Sequence, residues 1–151
     1  MYLLDTNVLS ELMRAQPSSL VEARFEAEQE ELFTSAICVE EIRYGAMIAP
    51  PGNSLWDRAQ ANVLPYLTVV PLDEALAIFA ADLRAEWKRR GTPVAYGDGL
   101  IAATAKGNDL ILVTRNVRHF AHVAGMKIEN WFELPPPPSL PADGQSGSRQ
   151  P

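Results

Sequence analysis

Short apolar runs alternate with helical patterns along most of the chain. The apolar runs predict β-strands at residues 2–4, 32–34, 67–70, 110–113 and 126–129. Apolar residues at helical spacing predict helices at about 18–28, 36–49, 54–64, 74–90 and 98–106. Because strands that alternate with helices are typical of βαβ units, the pattern predicts an α/β fold with a mostly parallel central sheet and right-handed crossovers.

Residues that start or end helices agree with several of these boundaries. Ser35 and Asp73 are residue types that cap helix N-termini, and Ser18 or Ser19 can cap the first predicted helix. The PPG sequence at 50–52 ends the second helix, and Gly91 follows the basic last turn of the longest one. Residues 93–97 are expected to form a loop, so that Asp98 opens the next helix.

The proline content divides the chain into two parts. Six of the twelve prolines lie among the last 17 of the 151 residues, in a segment with few other apolar side chains. Such a segment cannot bury enough surface to offset the entropy of ordering it, so we predict a Pro-rich, disordered tail at 135–151. Residues 1–134 are enough for one folded domain with its own core, in a chain that is 47% hydrophobic.

Composition excludes several classes of protein. A single Cys excludes a disulfide framework and a Cys-cluster zinc site. The first residues lack a basic segment and a long apolar run, and no apolar stretch approaches the ~20 residues of a membrane span. We therefore expect a cytoplasmic protein with no membrane association. The 13 Lys and Arg against 19 Asp and Glu give a formal net charge of −6, which argues against a broad basic surface for nucleic acid.

Three carboxylates stand out from the acids of solvated helix faces. Asp5 follows the first strand directly, Glu41 lies among apolar residues of a helix, and Asp98 opens a helix that is apolar almost all round. Taken singly, they have ordinary interpretations as a turn residue, a surface residue and an N-cap. In a parallel sheet, however, strand ends and helix starts converge at one edge.

Converging carboxylates need a compensating charge. Two of them ~4 Å apart repel by about 4 kcal/mol at an effective dielectric constant of about 20. Protonation or a cation must offset that repulsion. Because oxygen ligands without a Cys or His cluster favour hard cations, this set of residues indicates Mg²⁺ or Mn²⁺ rather than zinc.

Four segments together resemble the successive motifs of PIN-domain proteins, and in particular the VapC and FitB-like toxins of bacterial type II toxin–antitoxin systems. They are LLDTNVLSEL (3–12), SAICVEEIRYG (35–45), DGLIAATA (98–105) and LILVTRN (110–116). The resemblance extends over about residues 1–134 in the order and spacing of the family. The DTN opening combined with the DGLIAATA helix is a specific combination, whereas either alone would be a weak signal.

The resemblance implies a three-layer α/β/α fold and a Mg²⁺- or Mn²⁺-dependent ribonuclease. By motif position, Asp5, Glu41 and Asp98 would be the catalytic acids that bind the metal. Thr6 would orient the site and Asn7 would brace the first loop. Glu41 is favoured over its neighbour Glu40 because the family pattern continues through EIRYG at 41–45.

One position departs from the family pattern. Many PIN domains carry a fourth acid shortly after the Thr that ends the fourth strand, and Asn116 occupies that position here. Because Asn adds no charge, a second metal would bind more weakly, and the number of metals stays open. Thr114 and Asn116 would hydrogen-bond the phosphate or the waters of the metal. Arg43 and Arg115 are candidates for phosphate contact or, equally, for salt bridges to neighbouring acids.

The resulting prediction is an endoribonuclease toxin in which a metal-activated water attacks an RNA phosphodiester. The expected partners are the RNA substrate and a VapB/FitA-like antitoxin, whose basic segment would enter the acidic groove. A homodimer and a toxin–antitoxin hetero-oligomer are expected as well. Two other functions stay open, namely a PIN-like binding or regulatory module without turnover and a metal-dependent DNase. His119 and His122 are assigned to the surface rather than to a metal site.

Overall fold

Five short parallel strands form the centre of the computed structural model, which describes residues 1–134. The predicted tail at 135–151 lies outside the described residues. The strands are β1 (Tyr2–Leu4), β2 (Leu32–Ser35), β3 (Thr68–Val70), β4 (Ile111–Val113) and β5 (Ile128–Glu129). The helices within 1–134 are α1 (Thr6–Leu12), α2 (Ser19–Ala27), α3 (Ala36–Ile48), α4 (Leu55–Asn62), α5 (Glu74–Arg89), α6 (Tyr96–Gly107) and α7 (Val117–Phe120).

The strand order creates a reversal point in the middle of the sheet. The strands pair in the order β3-β2-β1-β4-β5, and every pair is parallel. The chain therefore runs outward from β1 to β3, crosses back, and continues from β4 to β5 on the other side of β1. In sheets of this kind, ligands bind outside the carboxyl ends of the strands at the reversal point. Here that point lies between β1 and β4, where Leu3 pairs with Leu112.

Burial of the central strands and of α6 explains the three-layer α/β/α architecture. Leu3, Leu4, Leu112 and Val113 are fully buried, which requires that both faces of the sheet be covered. Right-handed crossovers put the helices before the reversal and those after it on opposite faces. Every residue of α6 from 99 to 105 is buried, as its apolar sequence predicts. The predicted α/β fold with a parallel sheet is confirmed.

Several predicted helix boundaries are also confirmed. The Ser35 side chain accepts a hydrogen bond from the Cys38 backbone N–H at the start of α3, and Asp73 accepts one from Leu76 at the start of α5. Gly91 follows α5 with φ +76°, a left-handed conformation in which glycine is favoured. No helix within the described part of the chain is both long and apolar enough to cross a membrane.

Three features of the helices differ from the sequence-based expectation. Helices α1 and α7 were not predicted, because segments of seven and four residues are too short to show a helical period. Helix α6 begins at Tyr96 rather than at Asp98. Ala95 is therefore its N-cap residue, and Asp98 lies inside the first turn, so the N-cap interpretation of Asp98 is wrong.

Candidate functional site

The candidate site lies at the reversal point of the sheet, where β1 and β4 end side by side. Asp5 follows β1, and its backbone N–H donates to the Val113 carbonyl of β4 at 3.0 Å. The residue that follows each strand lies at this edge of the sheet. Asp5 and Thr114 are therefore neighbours, although 109 positions separate them in the sequence. Parallel pairing of two short apolar strands is thus enough to bring the two polar residues together.

Asp5 is a buried carboxylate held by three donors. The Thr6 backbone N–H donates to its Oδ1 at 2.7 Å, while the Asn7 Nδ2 and the Thr114 Oγ1 donate to its Oδ2 at 2.5 and 2.7 Å. Only 5% of Asp5 is exposed. It is also the N-cap residue of α1, which accounts for its fixed orientation at the strand end.

Thr6 connects Asp5 to the second predicted acid. Its hydroxyl donates to the Glu41 Oε2 at 2.5 Å, which brings helix α3 to the start of α1. The other oxygen, Glu41 Oε1, lies so close to Gly97 of α6 that a Cβ added there would come within 2.7 Å. Glu40 is exposed and, among the described residues, forms no such contact, so of the two neighbours only Glu41 reaches Thr6.

Asp98 occupies the first turn of α6, one residue beyond the contact with Glu41. It is partly exposed, and its Oδ2 lies 3.3 Å from the Nδ1 of His119 in α7. His119 is on the surface, as expected, but its contact with a site carboxylate was missed. His122 lies instead against the ring of Trp87, so the two histidines do not act as a pair. The sequence indicated this contact only by placing His119 in the segment that follows β4, close to Asn116.

The electrostatics of the site show uncompensated negative charge. Burial raises the pKa of Asp5, hydrogen bonds from Thr114 and Thr6 lower it, and the negative charges of Asp98 and Glu41 raise it further. Within residues 1–134, no Lys or Arg forms an ion pair with any of these three acids, and only His119 approaches Asp98. The arrangement therefore favours a cation.

Asp5, Glu41 and Asp98 are neighbours, but their side chains are not arranged as a preformed metal-binding site. Among the described residues, no group of three or more His, Cys, Asp or Glu side chains has the geometry to hold a metal ion. Mutual repulsion keeps like charges apart when no cation lies between them. The chemistry of the donors nevertheless fits a hard divalent cation, because all of them are carboxylate oxygens and the nearby hydroxyls and amides can hydrogen-bond its waters.

The loop after β4 supports the site through Asn7. The Asn7 Nδ2 donates to the Thr114 Oγ1 at 3.0 Å, and its Oδ1 accepts from the Arg115 backbone N–H at 2.9 Å. The Asn116 backbone N–H donates to the Thr114 Oγ1 at 3.0 Å, which leaves the Asn116 side chain exposed at the same edge. Asn7 therefore ties the first loop to the segment after the fourth strand, and its role in the activity stays a prediction.

Within the described residues, neither candidate arginine forms an ion pair with Asp5, Glu41 or Asp98. The Arg43 guanidinium stacks over the ring of Trp56 at 4.8 Å. The Arg115 Nη2 lies 3.6 Å from the buried Glu11 Oε2, and its guanidinium stacks on Phe132 at 3.9 Å. Arg115 thus forms a salt bridge to a neighbouring acid, and contact of either arginine with phosphate stays a prediction.

Comparisons with known proteins agree with one another. The PIN domain family matches residues 2–126, a range that includes all three acids. Toxin FitB of Neisseria gonorrhoeae is 39% identical over 126 residues, which cover 80% of this chain and 91% of FitB. VapC ribonuclease Y4jK of Sinorhizobium fredii is 39% identical over 139 residues, covering 88% and 99% of the two chains. The structure of FitAB bound to the IR36 DNA fragment matches with a TM-score of 0.79 and 35% identity, covering 89% of this chain and 98% of the other.

Proposed function

The chain belongs to the PIN domain family, and from this premise we propose that it is a metal-dependent endoribonuclease, the toxin of a toxin–antitoxin pair. Two similar proteins of nearly the same length are named a toxin and a ribonuclease. The proposed reaction is hydrolysis of an RNA phosphodiester bond by water.

This proposal depends on one observation. Thr6 donates hydrogen bonds to both Asp5 and Glu41, and Asp98 lies beside them at the carboxyl ends of β1 and β4. A buried carboxylate next to two others, with no Lys or Arg paired to any of them within residues 1–134, is unfavourable for a purely structural cluster. It is favourable for a site that works with a bound divalent cation.

The residues of the chain divide into holding and positioning roles. Asp5, Glu41 and Asp98 would hold the metal, which when bound supplies Lewis-acid polarisation of the phosphodiester and a more acidic water. Asn7 and Thr114 fix the Asp5 carboxylate, and Thr6 fixes Glu41. We propose that the exposed Asn116 hydrogen-bonds the phosphate or the waters of the metal.

The metal we propose is Mg²⁺, with Mn²⁺ as the alternative, because the donors are hard carboxylate oxygens. Asn116 supports a single firmly bound ion, since it contributes no negative charge for a second one.

The proposed partner is a VapB/FitA-like antitoxin, in line with the likeness to the FitAB complex. A basic segment of the antitoxin would bring positive charge to Asp5, Glu41 and Asp98, which pair with no Lys or Arg within residues 1–134. We further propose that the protein forms a homodimer and a toxin–antitoxin hetero-oligomer in the cytoplasm.

A cleavage assay tests the proposed function. Purified protein, freed of any antitoxin, is incubated with single-stranded RNA or DNA in Mg²⁺, Mn²⁺ or EDTA, in parallel with the Asp5→Asn variant. The expected result is internal cleavage of RNA by the wild type, and none in EDTA or with Asp5→Asn, because loss of one ligand charge weakens metal binding.

Each other outcome favours a different function. RNA cleavage that persists in EDTA or in Asp5→Asn contradicts the assignment of the site. Cleavage of DNA in preference to RNA indicates a DNase. Binding of RNA without cleavage under every metal condition indicates a binding module.

A further inference from the structure

Arg84 and Tyr96 form an unusual pair at the start of α6. The Arg84 guanidinium lies over the Tyr96 ring at 4.5 Å from its centroid. The Arg84 Nε is buried and has no hydrogen-bond partner, and within residues 1–134 the side chain forms no ion pair. Tyr96 is 65% exposed, which is high for a tyrosine adjoining a folded core. In this part of the chain, the Arg84 guanidinium thus lies against an exposed aromatic ring without a paired anion.

The pair lies directly beside the candidate site. Tyr96 precedes Gly97, which contacts Glu41, and Gly99 lies two residues further along the same helix. A Cβ at Gly99 would come within 2.7 Å of the Arg84 Cδ and 2.9 Å of its Cγ. Glycines at 97 and 99 therefore let Glu41 approach the first turn of α6 from α3 and let Arg84 approach it from α5.

We propose that Arg84 and Tyr96 bind the RNA strand next to the bond that is cut. The exposed face of the Tyr96 ring stacks on a base, and the Arg84 guanidinium contacts a phosphate of the same strand. Stacked aromatic rings and Arg side chains are how proteins bind single-stranded nucleic acid without reading its sequence. This inference rests on the proposed function, since it takes RNA as the ligand of the neighbouring site.

The chemistry of the pair favours a nucleic acid over an acidic peptide. A peptide carboxylate would satisfy Arg84 but would leave the exposed face of Tyr96 without a planar partner. A nucleotide supplies both a planar base and a phosphate with geometry that suits the guanidinium fork. The chain has a net charge of −6, which gives no general attraction to phosphate. A local contact such as that of Arg84 and Tyr96 would therefore be needed to hold the RNA strand.

RNA binding is tested in an Asp5→Asn background, in which the probe stays intact. The probe is a short fluorescein-labelled single-stranded RNA of mixed sequence, and anisotropy gives Kd over a series of salt concentrations. Tyr96→Ala is expected to raise Kd on the order of tenfold at every salt concentration, because stacking does not depend on salt. Tyr96→Phe, which keeps the ring, is expected to bind like the parent.

Arg84→Gln is expected to raise Kd and to flatten the slope of log Kd against log salt by about 0.7, the loss of one phosphate contact on a single strand. Gly99→Ala is expected to give the same change, because the added methyl group displaces Arg84. The matched controls are Lys127→Gln, which removes a charge paired with Asp109, and Gly107→Ala at the other end of α6, where a Cβ fits at 3.4 Å. Neither is expected to alter Kd or slope.

A cleavage assay of the same variants with intact Asp5 separates this inference from the proposed function. Suppose that wild-type protein cuts RNA, and that the Tyr96→Ala and Arg84→Gln variants bind and cut it as well as the controls do. The pair is then only a packing or protein contact, and the inference is overturned. The same holds if Arg84→Gln lowers the melting temperature without changing the salt slope. If wild-type protein cuts no RNA, the proposed function fails. The Kd values and salt slopes of the binding series then decide by themselves whether Arg84 and Tyr96 bind RNA.

Discussion

The orientation of Glu41 depends on the absence of a side chain at Gly97. A methyl group at Gly97 would come within 2.7 Å of the Glu41 Oε1. Because that atom is the end of a flexible side chain, the carboxylate would move while the fold stays intact. We expect Gly97→Ala to slow RNA cleavage on the order of tenfold to a hundredfold, since small displacements at a reacting centre are costly.

The control for this variant lies on the helix that carries Glu41. Gly45 is one turn further along α3, and nothing lies within 4 Å of an added Cβ there. Gly45→Ala is expected to keep full activity and to raise the free energy of unfolding by up to about 1 kcal/mol. Cleavage rates and urea midpoints of both variants check this, and equal rates would contradict the placement of Glu41 in the site.

Burial of Asp5 predicts how stability changes with pH. Because burial raises the pKa of Asp5 above its ordinary value of 3.8, the folded state holds this proton more tightly than the unfolded state. The contribution of Asp5 to the free energy of unfolding is therefore full below the unfolded pKa and decreases as the pH rises through the folded pKa. Asp5→Asn removes this titration. In EDTA, wild type should lose stability relative to Asp5→Asn as the pH rises above about 4.

Metal binding should reverse this loss at neutral pH. Mg²⁺ or Mn²⁺ that binds only the folded state raises the free energy of unfolding by mass action. Urea midpoints at about pH 7 should therefore rise with added metal in the wild type and stay constant in Asp5→Asn. A metal-induced rise of equal size in both proteins would contradict the role of Asp5 as a ligand.

At the scale of elements, helix caps give a quantitative test of the fold. Asp73 accepts a hydrogen bond from the Leu76 backbone N–H at 2.8 Å, whereas Ser18 forms no side-chain bond at the start of α2. Asp73→Ala is expected to lower the free energy of unfolding by about 1 kcal/mol. Ser18→Ala is expected to change it by less than about 0.5 kcal/mol. Urea denaturation of both measures the difference, and equal losses would contradict the assigned cap geometry.

The sequence predicted the elements whose hydrophobic period extends over enough residues. The five strands and the helices α2 to α6 appeared within a few residues of their observed bounds, because apolar spacing and caps such as Ser35 and Asp73 act locally. Helices α1 and α7 were missed because seven and four residues are too few to show a helical period.

The sequence could predict the site residues whose positions follow from the end of a strand or the start of a helix. Asp5, Glu41 and Asp98 come to one sheet edge, as strand ends and helix starts indicated, and their role as metal ligands stays a prediction. The contact of His119 with Asp98 and that of Arg84 with Tyr96 depend on how α7 and α5 pack against α6. Such contacts between distant segments leave no periodic signal in a sequence.

At the scale of the whole molecule, the end of the described chain is anchored by an aromatic cluster. The Trp131 Nε1 donates to the Glu129 Oε2 at 2.9 Å, and the Trp131 ring packs edge-on against Tyr2 at 5.4 Å. Arg24 pairs with the same Glu129 oxygen at 2.8 Å and lies over the Trp131 ring at 5.1 Å. These contacts join β1, α2 and β5, so Trp131 belongs to the folded domain, whereas Leu134 is exposed.

Two truncations test where the folded domain ends. A chain that stops after Leu134 keeps the whole cluster, so its melting temperature and urea midpoint are expected to match those of the full chain. A chain that stops after Asn130 loses Trp131, which is 3% exposed, and should lose about 3–5 kcal/mol, a large share of the roughly 5–15 kcal/mol typical of a domain. Circular dichroism and urea denaturation compare the three chains. Marked destabilisation of the longer truncated chain would contradict a domain boundary at 134, because it would mean that the Pro-rich segment contributes contacts of its own.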